Sequence, residues 1–157
     1  MSPEELSYLI PEDVLARLRE VASAPNAKER LPFEVVHILK NNYPYYDWVG
    51  IYNLEEDDTL VLGPFLGKPS PHTRIKTDSG ICGAAVREEQ TIIIDDVNAD
   101  PRYLACSLET KSEIVVPIFK NGVVVGEIDI DSHKHAAFTE VDRKLLEEIA
   151  VILSQVY

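Results

Sequence analysis

Polar and apolar positions change period along this chain, and the changes lay out its elements. From Pro11 to Val21 apolar residues recur at helical spacing behind an acidic first turn, and Leu31 to Leu39 repeats the pattern with Phe33, Val36 and Ile38. Two helices are expected ahead of the core. Asp47 to Leu54 then reads as a strand, Glu55-Glu56-Asp57-Asp58 as a polar turn, and Thr59 to Leu62 as the returning strand of a hairpin. Gly63 through Thr77 is rich in Gly and Pro and predicts a long loop, and the segment around Cys82 predicts a turn opening into a short helix. Thr91 to Ile94 predicts a short buried strand, Asp95 to Lys111 an irregular stretch, and Glu113 to Phe119 a further strand. Asn121-Gly122 carries the type I′ hairpin signal, so Val123 to Asp131 should pair back. A last helix opens with Thr139 as N-cap and Asp142 in its first turn, and Leu145, Leu146, Ile149, Ile152, Leu153 and Val156 mark its apolar side.

An antiparallel sheet with helices before and after it implies an α+β domain of two or three layers. At 157 residues the chain fits one domain, residues 1–157, with helices over about 11–42 and a sheet core over about 47–131. Hydrophobic residues at 45% and charged residues at 27% are ordinary for a globular protein. The formal net charge of −12, from 15 basic and 27 acidic side chains, repels phosphate backbones and anionic lipid, so neither nucleic acid nor membrane is an expected partner. Met1-Ser2-Pro3-Glu4-Glu5 lacks a basic leader and no apolar run approaches the roughly 18 residues of a membrane span, which points to the cytoplasm. In that reducing compartment a pair of cysteines is more often redox-active or free than a permanent staple.

The chain has two cysteines, Cys82 and Cys106, each among small residues that suit an accessible thiol. Cys82 sits where a helix N-terminus would favour a thiolate; Cys106 falls in the irregular stretch, and loops of that length usually cover or build a site. Two buried structural thiols are the plain alternative. Alternation puts Glu127, Asp129 and Asp131 on one face of their strand, and the hairpin brings Glu113 near Asp129 and Asp131. That cluster is either a solvated sheet face or a site whose crowded carboxylates keep a proton to donate or hold an ammonium group. Trp48 and Tyr52, four apart on a strand, point to one side and either wall a pocket or pack the core.

Trp48-Val49-Gly50-Ile51-Tyr52, Leu62-Gly63-Pro64-Phe65-Leu66-Gly67-Lys68-Pro69, Thr73-Arg74-Ile75, Gly80-Ile81-Cys82-Gly83, Ala105-Cys106, Ser112-Glu113-Ile114-Val115-Val116-Pro117 and Asp129-Ile130-Asp131-Ser132 closely resemble, in order and spacing, the free methionine-(R)-sulfoxide reductases, a GAF-domain family. The resemblance covers about Asp47 to Asp142. It implies a GAF fold with a six-stranded antiparallel sheet and the N- and C-terminal helices packed on one side, a homodimer, and thioredoxin-dependent reduction of free methionine sulfoxide. By motif position Cys106 resembles the catalytic nucleophile and Cys82 a resolving cysteine. Trp48, Tyr52, Glu113, Asp129 and Asp131 stand where the family forms its substrate pocket, with the three carboxylates as acid and ammonium holders. Many members carry a third cysteine where this chain has His72, and His-Ile where it has Tyr103-Leu104, so Cys82 or an external thiol must resolve.

The chemistry closes without a metal or organic cofactor. A thiolate attacks the sulfoxide sulfur while an acid protonates its oxygen, leaving methionine and a cysteine sulfenic acid, which a second thiol converts to a disulfide. Two other readings fit parts of the sequence. A non-catalytic GAF sensor would bind a small molecule on the same fold. A metal site could form from Asp129, Asp131, His133 and His135 if the strand continued through them, although Ser132 to Ala137 reads as a polar connection.

Overall fold

The computed structural model describes residues 9–105 and 107–157. Helices α1 (Pro11–Ala22) and α2 (Ala27–Asn42) come first, followed by strands β1 (Trp48–Glu55), β2 (Thr59–Leu66) and β3 (Arg74–Lys76). Helix α3 (Gly80–Glu88), β4 (Ile92–Ile94), β5 (Ser112–Lys120), β6 (Val123–Ser132) and α4 (Glu140–Leu153) complete the order. Among the described residues the strands form one antiparallel sheet, in the order β3-β2-β1-β6-β5-β4. Asn121 and Gly122 both take positive φ, 52° and 78°, as the I′ turn between β5 and β6 requires. No helix among them is long and apolar enough to cross a membrane.

Alternation along the strands gives the sheet two unlike faces. Val49 and Ile51, Ile114, Val116 and Ile118, and Ile128 and Ile130 point to one side, where Leu18, Leu31, Leu39, Leu146 and Ile149 of α1, α2 and α4 meet them. Burying a Leu or Ile side chain contributes about 1.5–3 kcal/mol, so this helical face supplies most of the fold's apolar stabilisation. Helix α4 is fixed at its start by a capping box: Thr139 Oγ1 accepts from Val141 N at 3.2 Å and Asp142 Oδ2 accepts from Thr139 N at 2.8 Å. Asp142 Oδ1 also accepts the hydroxyls of Tyr45 and Tyr46, at 2.7 and 2.6 Å. Burial and Asp142 push both tyrosines well above the ordinary phenol range. Leu145, Leu146, Ile149, Ile152 and Leu153 are all buried within the chain, so the sheet and the other helices take up this apolar stripe.

Two sequence expectations change. The region after Gly63 is not all loop: β2 continues to Leu66, pairing Phe65 with Gly50 and Leu66 with Val49, and β3 pairs with Thr59 to Val61. Pro64 is tolerated because the β1–β2 register shifts beside it and β3 does not reach that part of β2, so its missing N–H interrupts no regular ladder. Helix α2 begins at Ala27 rather than Leu31, because Ala27 and Leu31, one turn apart, both bury.

Candidate functional site

On the face away from α1, α2 and α4, the ladder builds rows across β5, β6 and β1. Glu113 lies opposite Asp131 and Asp131 opposite Trp48; Val115, Asp129 and Gly50 form the next row; Pro117, Glu127 and Tyr52 the third. The carboxylates that alternation places together are therefore close, and the solvated reading of this face fails. Glu113, Glu127, Asp129 and Asp131 are at most 5% exposed. Helix α3 covers them, with Ile81, Cys82, Ala84 and Ala85 buried beside Leu60, Ile75 and Tyr52. It can lie this low because Gly83 has no side chain; a Cβ there would sit 2.7 Å from the Thr77 carbonyl oxygen.

Cys82 is 5% exposed, which corrects its reading as an accessible thiol. Its S–H donates to Asp129 Oδ2 at 3.4 Å. Burial first, then the charges of Asp129, Glu127 and Glu113, push the thiol well above its ordinary range, so the thiolate expected at the start of α3 is not favoured in the resting site. The tertiary neighbours outweigh the helix end. Burial also raises Glu127 and Asp131 well above the carboxylate range; Asp129 rises too, held back by its hydrogen bonds with Glu113 and Cys82. Asp129 Oδ1 and Asp131 Oδ1 have no hydrogen-bond partner among the described residues. Buried oxygens left open in this way mark a place for a donor.

Trp48 and Tyr52 share this face, as the alternation predicts, and both are buried in its core cluster. Trp48 and Tyr52 face the same side with ring centroids 6.4 Å apart, and Phe65 stacks on Trp48 at 5.7 Å. Trp48 Nε1 donates to Lys68 O at 2.9 Å and the Tyr52 hydroxyl to His72 O at 2.6 Å, so both polar tips are committed and the rings are fixed.

Residues 100–105 and 107–110, the strap on either side of position 106, border this face. Arg102 pairs with Asp100 and Glu88, Lys68 with Glu109, and the His72 ring Nε2 lies 3.1 Å from Ala105 O. The sequence marks His72 only as standing where many family members carry a third cysteine and gives no sign of this link, because the residues it joins are 33 apart. Cys106 lies outside the described residues. Its neighbours flank two hollows. On one side Leu104 lines a cavity of about 20 Å³ together with His72, Cys82, Glu113 and Asp129. On the other, Ser107 lines a hollow of about 130 Å³ with Trp48 and Asp131.

Cys82, Glu113 and Asp129 are also the described residues that could hold a metal ion, with ligand atoms within 4.8 Å of one another. The Asp129, Asp131, His133 and His135 set does not assemble. Strand β6 ends at Ser132, His133 turns to Asp47 and Glu109, and His135 to Asp96.

Residues 33–156 match the GAF domain family. The chain is 41% identical over 122 residues to the free methionine-R-sulfoxide reductase of Saccharomyces cerevisiae, covering 76% of this chain and 67% of that protein. GAF domain-containing protein A of Dictyostelium discoideum is 37% identical over 142 residues, 90% of this chain and 89% of that one. The X-ray structure of free methionine-R-sulfoxide reductase from Neisseria meningitidis, in complex with its substrate, superposes with a TM-score of 0.87 at 35% identity, covering 93% of this chain and 87% of that one.

Proposed function

The chain belongs to the free methionine-R-sulfoxide reductases, a GAF-domain family of oxidoreductases, and from that premise we propose that it reduces free L-methionine (R)-S-oxide to L-methionine with Cys106 as nucleophile. One observation carries the reading: a buried carboxylate cluster with open oxygens beside a fixed aromatic wall. An α-ammonium supplies the donors that Asp129 and Asp131 lack, and Trp48 offers an apolar surface to the S-methyl group. Ser79 O accepts the first hydrogen bond inside α3, from Gly83 N, so the N–H groups of Gly80, Ile81 and Cys82 have no acceptor within the helix and can take the α-carboxylate. A residue within a peptide presents neither terminus.

In the proposed cycle the Cys106 thiolate attacks the sulfoxide sulfur. A protonated carboxyl, Asp131 foremost among Glu113, Asp129 and Asp131, gives its proton to the oxygen, which leaves on the cysteine as sulfenic acid. Burial and the neighbouring Asp129 charge favour the protonated form of Asp131, as a general acid requires. Cys82 then displaces hydroxide from that sulfur, its own proton completing water, and the disulfide is reduced by a thioredoxin-like partner. A homodimer and a cytoplasmic setting are part of the proposal; the apolar stripe of α4 is not its basis, being buried within the chain.

The test is a coupled assay on the separate R and S epimers of free methionine sulfoxide with a peptide-bound control. Turnover confined to the free R epimer is the expected result. No methionine from either epimer would turn the reading toward a ligand-binding GAF module, and equal use of the peptide would remove the role given to the acidic pocket.

A further inference from the structure

Where α3 meets the sheet, the cavity of about 20 Å³ has room for one water or one small ion, and its lining is chemically distinctive. Glu113 on β5 and Asp129 on β6 are diagonal neighbours on one face, because Glu113 pairs with Asp131 and Val115 with Asp129. Cys82 of α3 comes down on both, and one ligand atom from each of the three lies within 4.8 Å of the others. All three side chains are at most 5% exposed, and no Lys or Arg lines the cavity. Acids close together can simply share protons, so the cluster alone does not make a ligand site. Asp129 adds an independent observation. It is 4% exposed, its Oδ2 accepts from the Cys82 thiol at 3.4 Å, and its Oδ1 has no partner among the described residues. A buried oxygen left open beside a thiol and a second carboxyl group is a place for a cation.

We infer that Cys82, Glu113 and Asp129 form a binding site for a zinc ion, and that the bound ion excludes substrate. The donor set selects the metal. Calcium takes six or more oxygen ligands and magnesium keeps several waters, which a cavity of this size does not admit, whereas zinc accepts sulfur and oxygen in a four-coordinate shell. Zinc bonds of roughly 2.0–2.3 Å place tetrahedral ligands about 3.3–3.8 Å apart, so the three side chains need to draw in by about 1 Å. Water completes the shell. On binding, the Cys82 S–H bond breaks, its proton leaves to solvent, the sulfur–zinc bond forms and nothing is oxidised. Two of the ligands stand on adjacent strands and the third on the helix packed over them, so the set is held by the fold rather than gathered from loops. The effect on turnover rests on the proposed function: the ion occupies the resolving thiol and the Asp129 oxygen offered to the α-ammonium. The binding itself does not.

Cobalt(II) reports such a site by absorption. In a Cys106→Ser background, which leaves Cys82 as the only cysteine, titration with Co²⁺ should saturate at about one ion per chain. The complex should show a thiolate-to-cobalt charge-transfer band and the intense visible bands of a four-coordinate ion, and Zn²⁺ should bleach both. Cys82→Ala should lose the charge-transfer band. Glu113→Gln and Asp129→Asn keep shape and remove an anionic ligand, and each should weaken Zn²⁺ binding about tenfold or more in competition with a chelator. His133→Ala, in the exposed turn after β6, should change neither reading. In the wild-type protein the same Zn²⁺ should block turnover until a chelator removes it. Absence of the band, its survival in Cys82→Ala, its loss in His133→Ala, or full affinity in both carboxylate variants would each overturn the site, and full turnover with zinc bound would overturn the exclusion of substrate. If Cys82→Ala does not fold, the parent spectrum and the carboxylate variants decide it. Because no methionine sulfoxide enters the titration, a failed activity assay and a failed metal site are distinguishable.

Discussion

On the helical face of the sheet, Asp142 uses one oxygen to accept from Tyr45 and Tyr46 and the other to close the α4 capping box. On the opposite face Asp129 and Asp131 each keep one oxygen unpartnered, and Glu127 keeps two. The first arrangement is finished by folding. Unsatisfied buried polar groups typically cost about 1–3 kcal/mol each, so the second is held against its own preference by the apolar packing on the far side of the same strands. The contrast teaches where to look for chemistry: not at buried acids in general, but at buried acids the fold has left open.

Breaking that contrast begins with the thiols. Cys106→Ser should abolish turnover, whereas Cys82→Ser should release about one methionine per subunit and then stall with thioredoxin as sole reductant. Quench-flow counting of methionine decides it, since equal bursts from both variants would dissolve the assignment. Among the acids, at least one of Glu113→Gln, Asp129→Asn and Asp131→Asn should lose about 10²–10⁴-fold in kcat/KM while remaining folded by circular dichroism, the usual range for general acid catalysis. Asp142→Asn should do the reverse, lowering stability by about 1–3 kcal/mol in urea unfolding with kcat/KM per folded molecule unchanged.

The pH dependence sharpens the same comparison. Glu127 and Asp131 have folded-state values raised above the 4.5 and 3.8 expected when unfolded, so the native state binds more protons and stability falls as pH rises from that range through the folded values. Unfolding midpoints measured from pH 5 to 8 should therefore decline, and Glu127→Gln should flatten the decline. The smallest effect belongs to the strap: His72→Ala removes its ring contact with Ala105 O and should raise KM severalfold with less change in kcat. Wild-type kinetics in that variant would reduce the contact to decoration.

Much of this site was legible in the chain. Period-two alternation put Glu127, Asp129 and Asp131 on one face, and the Asn121-Gly122 turn joined the two strands; the pairing of Glu113 with Asp131 was not legible, because the turn pairs Lys120 with Val123 and only a register shift between Ile118 and Phe119 brings Glu113 opposite Asp131. Burial was not legible, because it depends on α3 and the strap, neither of which pairs with β6 in the ladder. That is also why Cys82 was misread: the local sequence shows a helix start, while the groups controlling its thiol lie at positions 113, 127 and 129. Pro64 hid the end of β2 for a related reason, since its tolerance is set by what β3 leaves unpaired.

Trp48 is held between two glycines. A Cβ on Gly50 would collide with its six-membered ring, and one on Gly67 would lie 2.6 Å from Trp48 Cδ1. It is the only tryptophan in the chain, and it borders the same hollow as Asp131. The protein therefore carries its own optical reporter. With the indole unable to turn away, its emission responds to whatever displaces water or charge beside it, so occupancy can be followed in unlabelled protein, including variants whose turnover is too slow to assay.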